Sequence, residues 1–244
     1  MHVYFRWITS IKRDKSVKQF EKSESFTKKK GEKIMTKRFG FTLAEVLITL
    51  GIIGVVAAMT MPTLMNQTNG AQYKAAYKKA LSALSQAVTL NVALDDYNFA
   101  DVDGSTNAYG DKTVYKMLKD RMNIAREEKG AAITGYSLTA ATANMGGAAT
   151  APVAPTTANT TLFFNDGIMF TYTSTAKGCT EAAPCYGFID VNGTKAPNKE
   201  VVCDAAPTND SCTVKSPTDI YPVKYFDQSV LPTSVAAKAV LYGK

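Results

Sequence analysis

The chain has 244 residues, 45% hydrophobic and 20% charged, with 28 Lys and Arg against 21 Asp and Glu and a formal charge of +7. That length admits one or two domains, and the charge at first suggests nucleic acid or acidic lipid as a partner. Its distribution removes the nucleic-acid idea: residues 1–40 hold 12 basic and 4 acidic residues, whereas residues 41–244 hold 16 and 17, a net of −1, too little for a general electrostatic grip on phosphate backbones.

Residues 1–34 are polar and Lys-rich, with Trp7 and no sustained hydrophobic period. On composition they read as an unstructured leader. The expected start of translation is nevertheless Met35, since codons for Lys30-Gly31-Glu32 just upstream can spell a purine-rich ribosome-binding site; the long cytoplasmic leader is the alternative. Lys28, Lys29, Lys30, Lys33, Lys37 and Arg38 then precede an apolar run. Such a basic flank keeps its end of a membrane helix in the cytoplasm and sends the remainder outward.

From Val46 through Tyr73, 28 consecutive residues contain no Asp, Glu, Lys or Arg. Roughly 20 apolar residues in a helix rising about 1.5 Å per residue cross a bilayer core, so Phe41 to Met65 suffices. One carboxylate, Glu45, stands at its front edge, and a carboxylate in lipid is a functional candidate by default. Thr42-x-x-Glu45 also fits a capping box, a purely local use of the same acid. Gly51, Gly54 and Ala58 place small residues on adjoining helix faces, a pattern that permits close helix approach and is also common in membrane helices generally. Pro62 removes a backbone donor and is expected to kink or loosen the helix.

The stretch Arg38-Phe39-Gly40-Phe41-Thr42-Leu43-Ala44-Glu45-Val46-Leu47-Ile48 resembles the processing site of type IV prepilins and type II secretion pseudopilins. The resemblance is close from Lys37 to about Leu90. It implies cleavage after Gly40 by prepilin peptidase, N-methylation of Phe41, and use of Glu45 and Pro62 in assembly. It further implies other pilin or pseudopilin subunits, an inner-membrane assembly platform and the lipid bilayer as partners, with no cofactor and no enzymatic activity. The expected location is the bacterial inner membrane, single-pass with the C-terminal domain in the periplasm, and then a pseudopilus or surface pilus. The chain accordingly divides into a removed leader (1–40), a membrane and filament-core helix (41–65) and a globular domain (66–244). A rival scheme uses Val56-Ala57-Ala58 as an ordinary signal-peptidase site, releasing a soluble secreted binding module near Ala58.

Beyond the apolar run, Tyr73, Tyr77, Leu81, Leu84 and Val88 recur at steps of three and four, predicting an amphipathic helix to about Leu94. Asp95 to Gly110 reads as a loop. Val114, Leu118 and Met122 predict a second short helix within Lys112–Arg126. Residues 138–161, mostly Ala, Thr, Asn, Gly and Pro, read as a low-complexity surface loop. Leu162–Phe164 and Ile168–Tyr172 flank Asn165-Asp166-Gly167 and predict a hairpin. Gly187–Val191, Val201-Val202 and Ile220–Phe226 are further strand candidates. A long N-terminal helix packed on a small antiparallel sheet is the α+β, pilin-like fold that the resemblance implies.

Cys179, Cys185, Cys203 and Cys212 all lie in the last third, and after export they are expected to form disulfides. Three pairings are open; Cys179–Cys185 with Cys203–Cys212 is favoured because each closes a short loop. Their spacing lacks the usual zinc pair. Asp190 and Asn192 offer weak calcium candidates, but no acidic residue follows until Glu200, and an Asx-Gly turn explains them without metal. The one histidine is His2, ahead of Gly40. A chain cut there has no histidine triad, base or metal ligand.

Overall fold

The computed structural model describes residues 40–148, 154–207 and 211–243. Residues 1–39 of the expected leader, with Met35 and the basic flank, lie outside them. By packing, the described residues fall into two units that divide between Thr49 and Leu50.

Helix α1 runs Leu43–Asp95. Its apolar first part is exposed: no residue from Phe41 to Met65 is buried, and an 18-residue window has mean hydropathy 2.2. Helical assignment continues through Pro62. From Gly70 onward the predicted stripe becomes real packing. Tyr77, Ala80, Leu81, Leu84, Ala87 and Val88 are buried, the spacing that puts them on one face. Asn91 is buried and donates to the Tyr97 carbonyl at 2.8 Å. The helix ends after Asp95, where Asp96 takes the left-handed conformation at φ 56°.

Helix α2 spans Val114–Arg121, capped by Thr113 Oγ1, which accepts from Lys116 N at 3.1 Å. The predicted second helix therefore ends earlier than expected. Ile124–Lys129 instead forms strand β1. Its sequence, Ile-Ala-Arg-Glu-Glu-Lys, favours helix locally, but cross-strand contact decides. Lys129 lies 4.2 Å from the Tyr115 ring and Arg126 4.8 Å from the Phe163 ring. Charges along an edge strand also discourage pairing with other chains.

Strands β2 (Asn159–Phe164), β3 (Met169–Thr173), β4 (Cys185–Asp190), β5 (Ile220–Phe226) and β6 (Ser229–Pro232) complete an antiparallel six-stranded meander in chain order. The predicted hairpin is β2–β3, with Leu162 opposite Phe170 and Gly167 at φ 85° in the turn. Val201-Val202 forms no strand; beside it Glu200 makes a single parallel bridge to Ile220. Helix α3, Val235–Tyr242, follows β6 and is capped by Ser234, whose hydroxyl accepts from Ala237 N at 3.0 Å.

Both sheet faces are covered, so β2 to β5 are almost wholly buried. Leu162, Phe170, Ile189, Tyr221 and Tyr225 face the core shared with α1. There Tyr77 stacks on Tyr221 with ring centroids 3.9 Å apart. Their sequence neighbours Phe163, Met169, Phe188 and Ile220 pack on the other face with Ile133, Tyr136 and Leu138. This is the two-residue alternation of a strand.

The low-complexity segment is thus partly structural. Asn159 to Thr161 begin β2, and Gly146 sits against the Cys203–Cys212 disulfide. A Cβ on Gly146 would lie 2.3 Å from Cys203 Sγ, and its φ is 76°. Gly146→Ala should therefore lower stability by roughly 2 kcal/mol or more, measured as the thermal-unfolding shift of the detergent-solubilised chain. An unchanged midpoint would refute this packing.

Candidate functional site

The processing motif ends in a reciprocal cap. Glu45 Oε2 accepts from Thr42 N at 2.8 Å and from Thr42 Oγ1 at 2.9 Å. Thr42 Oγ1 in turn accepts from Glu45 N at 3.2 Å. Such a box satisfies donors that a helix start leaves without partners. The local use of Glu45 is therefore present. Its Oε1 has no hydrogen-bond partner among the described residues. Gly40 and Phe41 precede the helix and are exposed, Phe41 at 87%, leaving the peptide bond between them accessible.

Farther along, an added Cβ on Gly51 or Gly54 would meet nothing within 4 Å. Glycine inside a helix costs about 1 kcal/mol relative to alanine. No contact among the described residues requires glycine at either position. Thr49 and Thr60 bend back to the carbonyls of Glu45 and Val56, at 2.9 and 3.0 Å. Their hydroxyls are thereby satisfied without water, as an apolar surrounding demands.

The cysteines lie in the globular unit, joined Cys179–Cys185 and Cys203–Cys212 across separations of 6 and 9 residues. No group of three or more His, Cys, Asp or Glu able to hold a metal occurs among the described residues. At the weak calcium candidates, the oxygens of Asp190 are already engaged. Its Oδ2 accepts from Tyr136 Oη at 2.7 Å and its Oδ1 from Asn192 N at 3.1 Å. The Asn192 amide donates to Tyr73 Oη of α1 and to the Ala196 carbonyl, both at 3.3 Å. The turn thus ties β4 to α1.

Two more buried carboxylates were not apparent in the sequence. Glu200 accepts from Ala141 N at 2.7 Å and Ala148 N at 3.0 Å, stapling the low-complexity segment. Asp219 accepts from Asn198 N and Lys199 N, both at 2.8 Å. Nothing in their local sequence marks them, because their partners lie 20 to 59 residues away. Burial raises the Glu200 carboxyl above its ordinary range, against the pull of its two backbone donors. Burial also pushes Asp190 up to about 7, with the nearby Asp219 adding to the effect and Tyr136 opposing it. These acids anchor loops.

Residues 35–61 match the prokaryotic N-terminal methylation motif. The match covers Gly40, Phe41, Glu45, Gly51 and Gly54, and it supports assignment to the prepilin and pseudopilin type. No curated protein and no solved structure matches the chain.

The Asp190 shift has a definite sign. Folded Asp190 keeps its proton to about pH 7, while the unfolded side chain releases it near its ordinary 3.8. Between these values the folded state binds more protons, so stability falls as pH rises. The loss is at most roughly 4 kcal/mol. Asp190→Asn should flatten the pH dependence of the unfolding midpoint between those limits. An unaltered slope in the variant would contradict the assignment.

Proposed function

We propose that the chain is a structural subunit of a type IV pilus-like filament or a type II secretion pseudopilus. The observation that carries this reading is the conjunction of the methylation motif at residues 35–61 with an apolar helix segment that its own fold leaves wholly unburied. Prepilin peptidase cuts after Gly40, and Phe41 becomes the methylated N-terminus. Residues 41–65 hold the subunit in the inner membrane as a single span, with residues 66–244 in the periplasm. The assembly platform then moves the helix from lipid into a bundle of related helices.

Glu45 has a role at that transfer. One of its oxygens serves the local cap; the other is available to a neighbouring subunit's N-terminal amine. In low dielectric an opposite charge is strongly attractive, and a carboxylate left unpaired costs about 3–5 kcal/mol. Gly51 and Gly54 allow helices to approach closely. Pro62 leaves one backbone carbonyl without its intrahelical donor, a point where the helix loosens on packing. The part after Gly40 is nearly neutral, in keeping with protein and lipid partners rather than nucleic acid.

Mass spectrometry of the mature protein should give N-methylated Phe41 as first residue; Met59 would identify the signal-peptidase route instead. Glu45→Ala should reduce recovery in sheared or purified filaments by about 10-fold or more, given the cost of a mispaired charge. Its membrane level should persist. Unchanged incorporation would overturn the role of Glu45.

A further inference from the structure

Beyond Met65, the large hydrophobic side chains left half exposed or more among the described residues are Leu90 at 51%, Leu94 at 67% and Tyr242 at 67%. They occupy opposite ends of the globular unit. Leu90 and Leu94 lie one turn apart near the end of α1. Tyr242 closes α3, beside Gly243, whose carbonyl accepts from Lys74 Nζ at 3.3 Å. At about 1.5 Å per residue, Leu90 and Leu94 stand roughly 24 and 30 Å along α1 from Lys74. One molecule therefore carries two apolar contact points too far apart to cover each other.

Each point has its own charge. Asp95 and Asp96 follow Leu94 directly, both exposed, and the last carbonyls of α1 add negative potential there. Asp95 pairs with Arg121. At the other end, Lys238 is exposed one turn before Tyr242, on the same face of α3. Neither Asp96 nor Lys238 makes an ion pair among the described residues. The shapes also differ. Leu90 borders a depression of about 310 Å³, with Ala87, Met122 and Phe164 as its apolar lining. Arg121 and Asp166 at its margin are already held by Asp95 and Lys79. An exposed tyrosine, with an apolar ring and a polar tip, is the kind of side chain that fills such a pocket at an interface.

We propose that these two ends bind each other between copies of this chain. Tyr242 of one copy enters the depression beside Leu90 of a second copy, and Lys238 meets Asp96 at the end of that copy's α1. Charge decides the pairing. Joining either end to its own likeness about a two-fold axis would set Asp96 against Asp96, or Lys238 against Lys238. Head to tail joins opposite signs. Such a contact leaves one end of the last copy unfilled, so it repeats and builds an open filament. This rests on the filament reading above and gives that filament a second contact, separate from the apolar span. Salt weakens it, because the charges are exposed.

The test is photo-crosslinking of the full chain in purified filaments. With p-benzoylphenylalanine at position 242, ultraviolet light should yield a covalent dimer of this chain. In it, tryptic peptide 239–244 is joined to peptide 80–112, which carries Leu90, Leu94 and Asp96, or to peptide 122–126, which begins at Met122. Separately, Lys238→Glu should lower recovery in sheared filaments about 5-fold while the membrane level persists. Adding Asp96→Asn removes the new repulsion and suits the left-handed backbone there, so it should restore about half of the loss. Filaments that give no such dimer, or that link 242 to 242 or to a different protein, overturn the contact and leave the filament reading standing. A Lys238→Glu defect that Asp96→Asn does not relieve overturns it as well. If the unsubstituted chain never enters filaments, both readings fall.

Discussion

A helix segment of uncharged, apolar residues finds no place inside its own fold. From Phe41 to Met65 not one residue is buried. Fully covering a single Val, Leu or Ile side chain is worth roughly 1.5–3 kcal/mol. The uncovered run therefore leaves unrealised more burial energy than the roughly 5–15 kcal/mol by which folded domains are stable. Lipid and a bundle of like helices both satisfy it. A helix is suited to move between them because its backbone bonds are internal. Gly51 and Gly54 meet no packing contact among the described residues, which leaves their helix faces open to close approach by another helix.

The N-terminal cap belongs to the same problem. Thr42 and Glu45 close the helix start on themselves, so the motif is ordered without a partner. This local arrangement uses one carboxylate oxygen. In the proposed assembly a neighbour's amine therefore adds to the cap instead of replacing it. The capping use of Glu45 and its proposed docking use are therefore compatible.

The globular unit grips the second part of α1 from several directions. Tyr77 stacks on Tyr221, Tyr73 meets Asn192, and Pro217 and the end of α3 close over Gly70 and Lys74. Behind the sheet, a chain segment with almost nothing to bury is held by Glu200 and by packing of Gly146 on the Cys203–Cys212 disulfide. Hydrogen bonds to buried carboxylates replace the apolar contacts that such a composition cannot supply. The cost is sensitivity to pH at Asp190, where burial opposes ionisation.

The sequence alone determined the features that act through nearest neighbours in the chain: the uncharged run, the Thr42–Glu45 cap, the amphipathic stripe from Tyr77 to Val88 and the Asn165–Gly167 hairpin. Each depends on spacing within a few residues, which periodicity records directly. Tertiary structure alone decided that Ile124–Lys129 is a strand, because its helix-favouring residues yield to pairing with β2 and to aromatic faces supplied by Tyr115 and Phe163. It also decided that β6 and α3 finish the fold, that the Ala- and Thr-rich segment packs, and that Asp190, Glu200 and Asp219 are buried. Those outcomes rest on partners distant in the chain, and the energy of a long-range contact leaves no period in the local sequence.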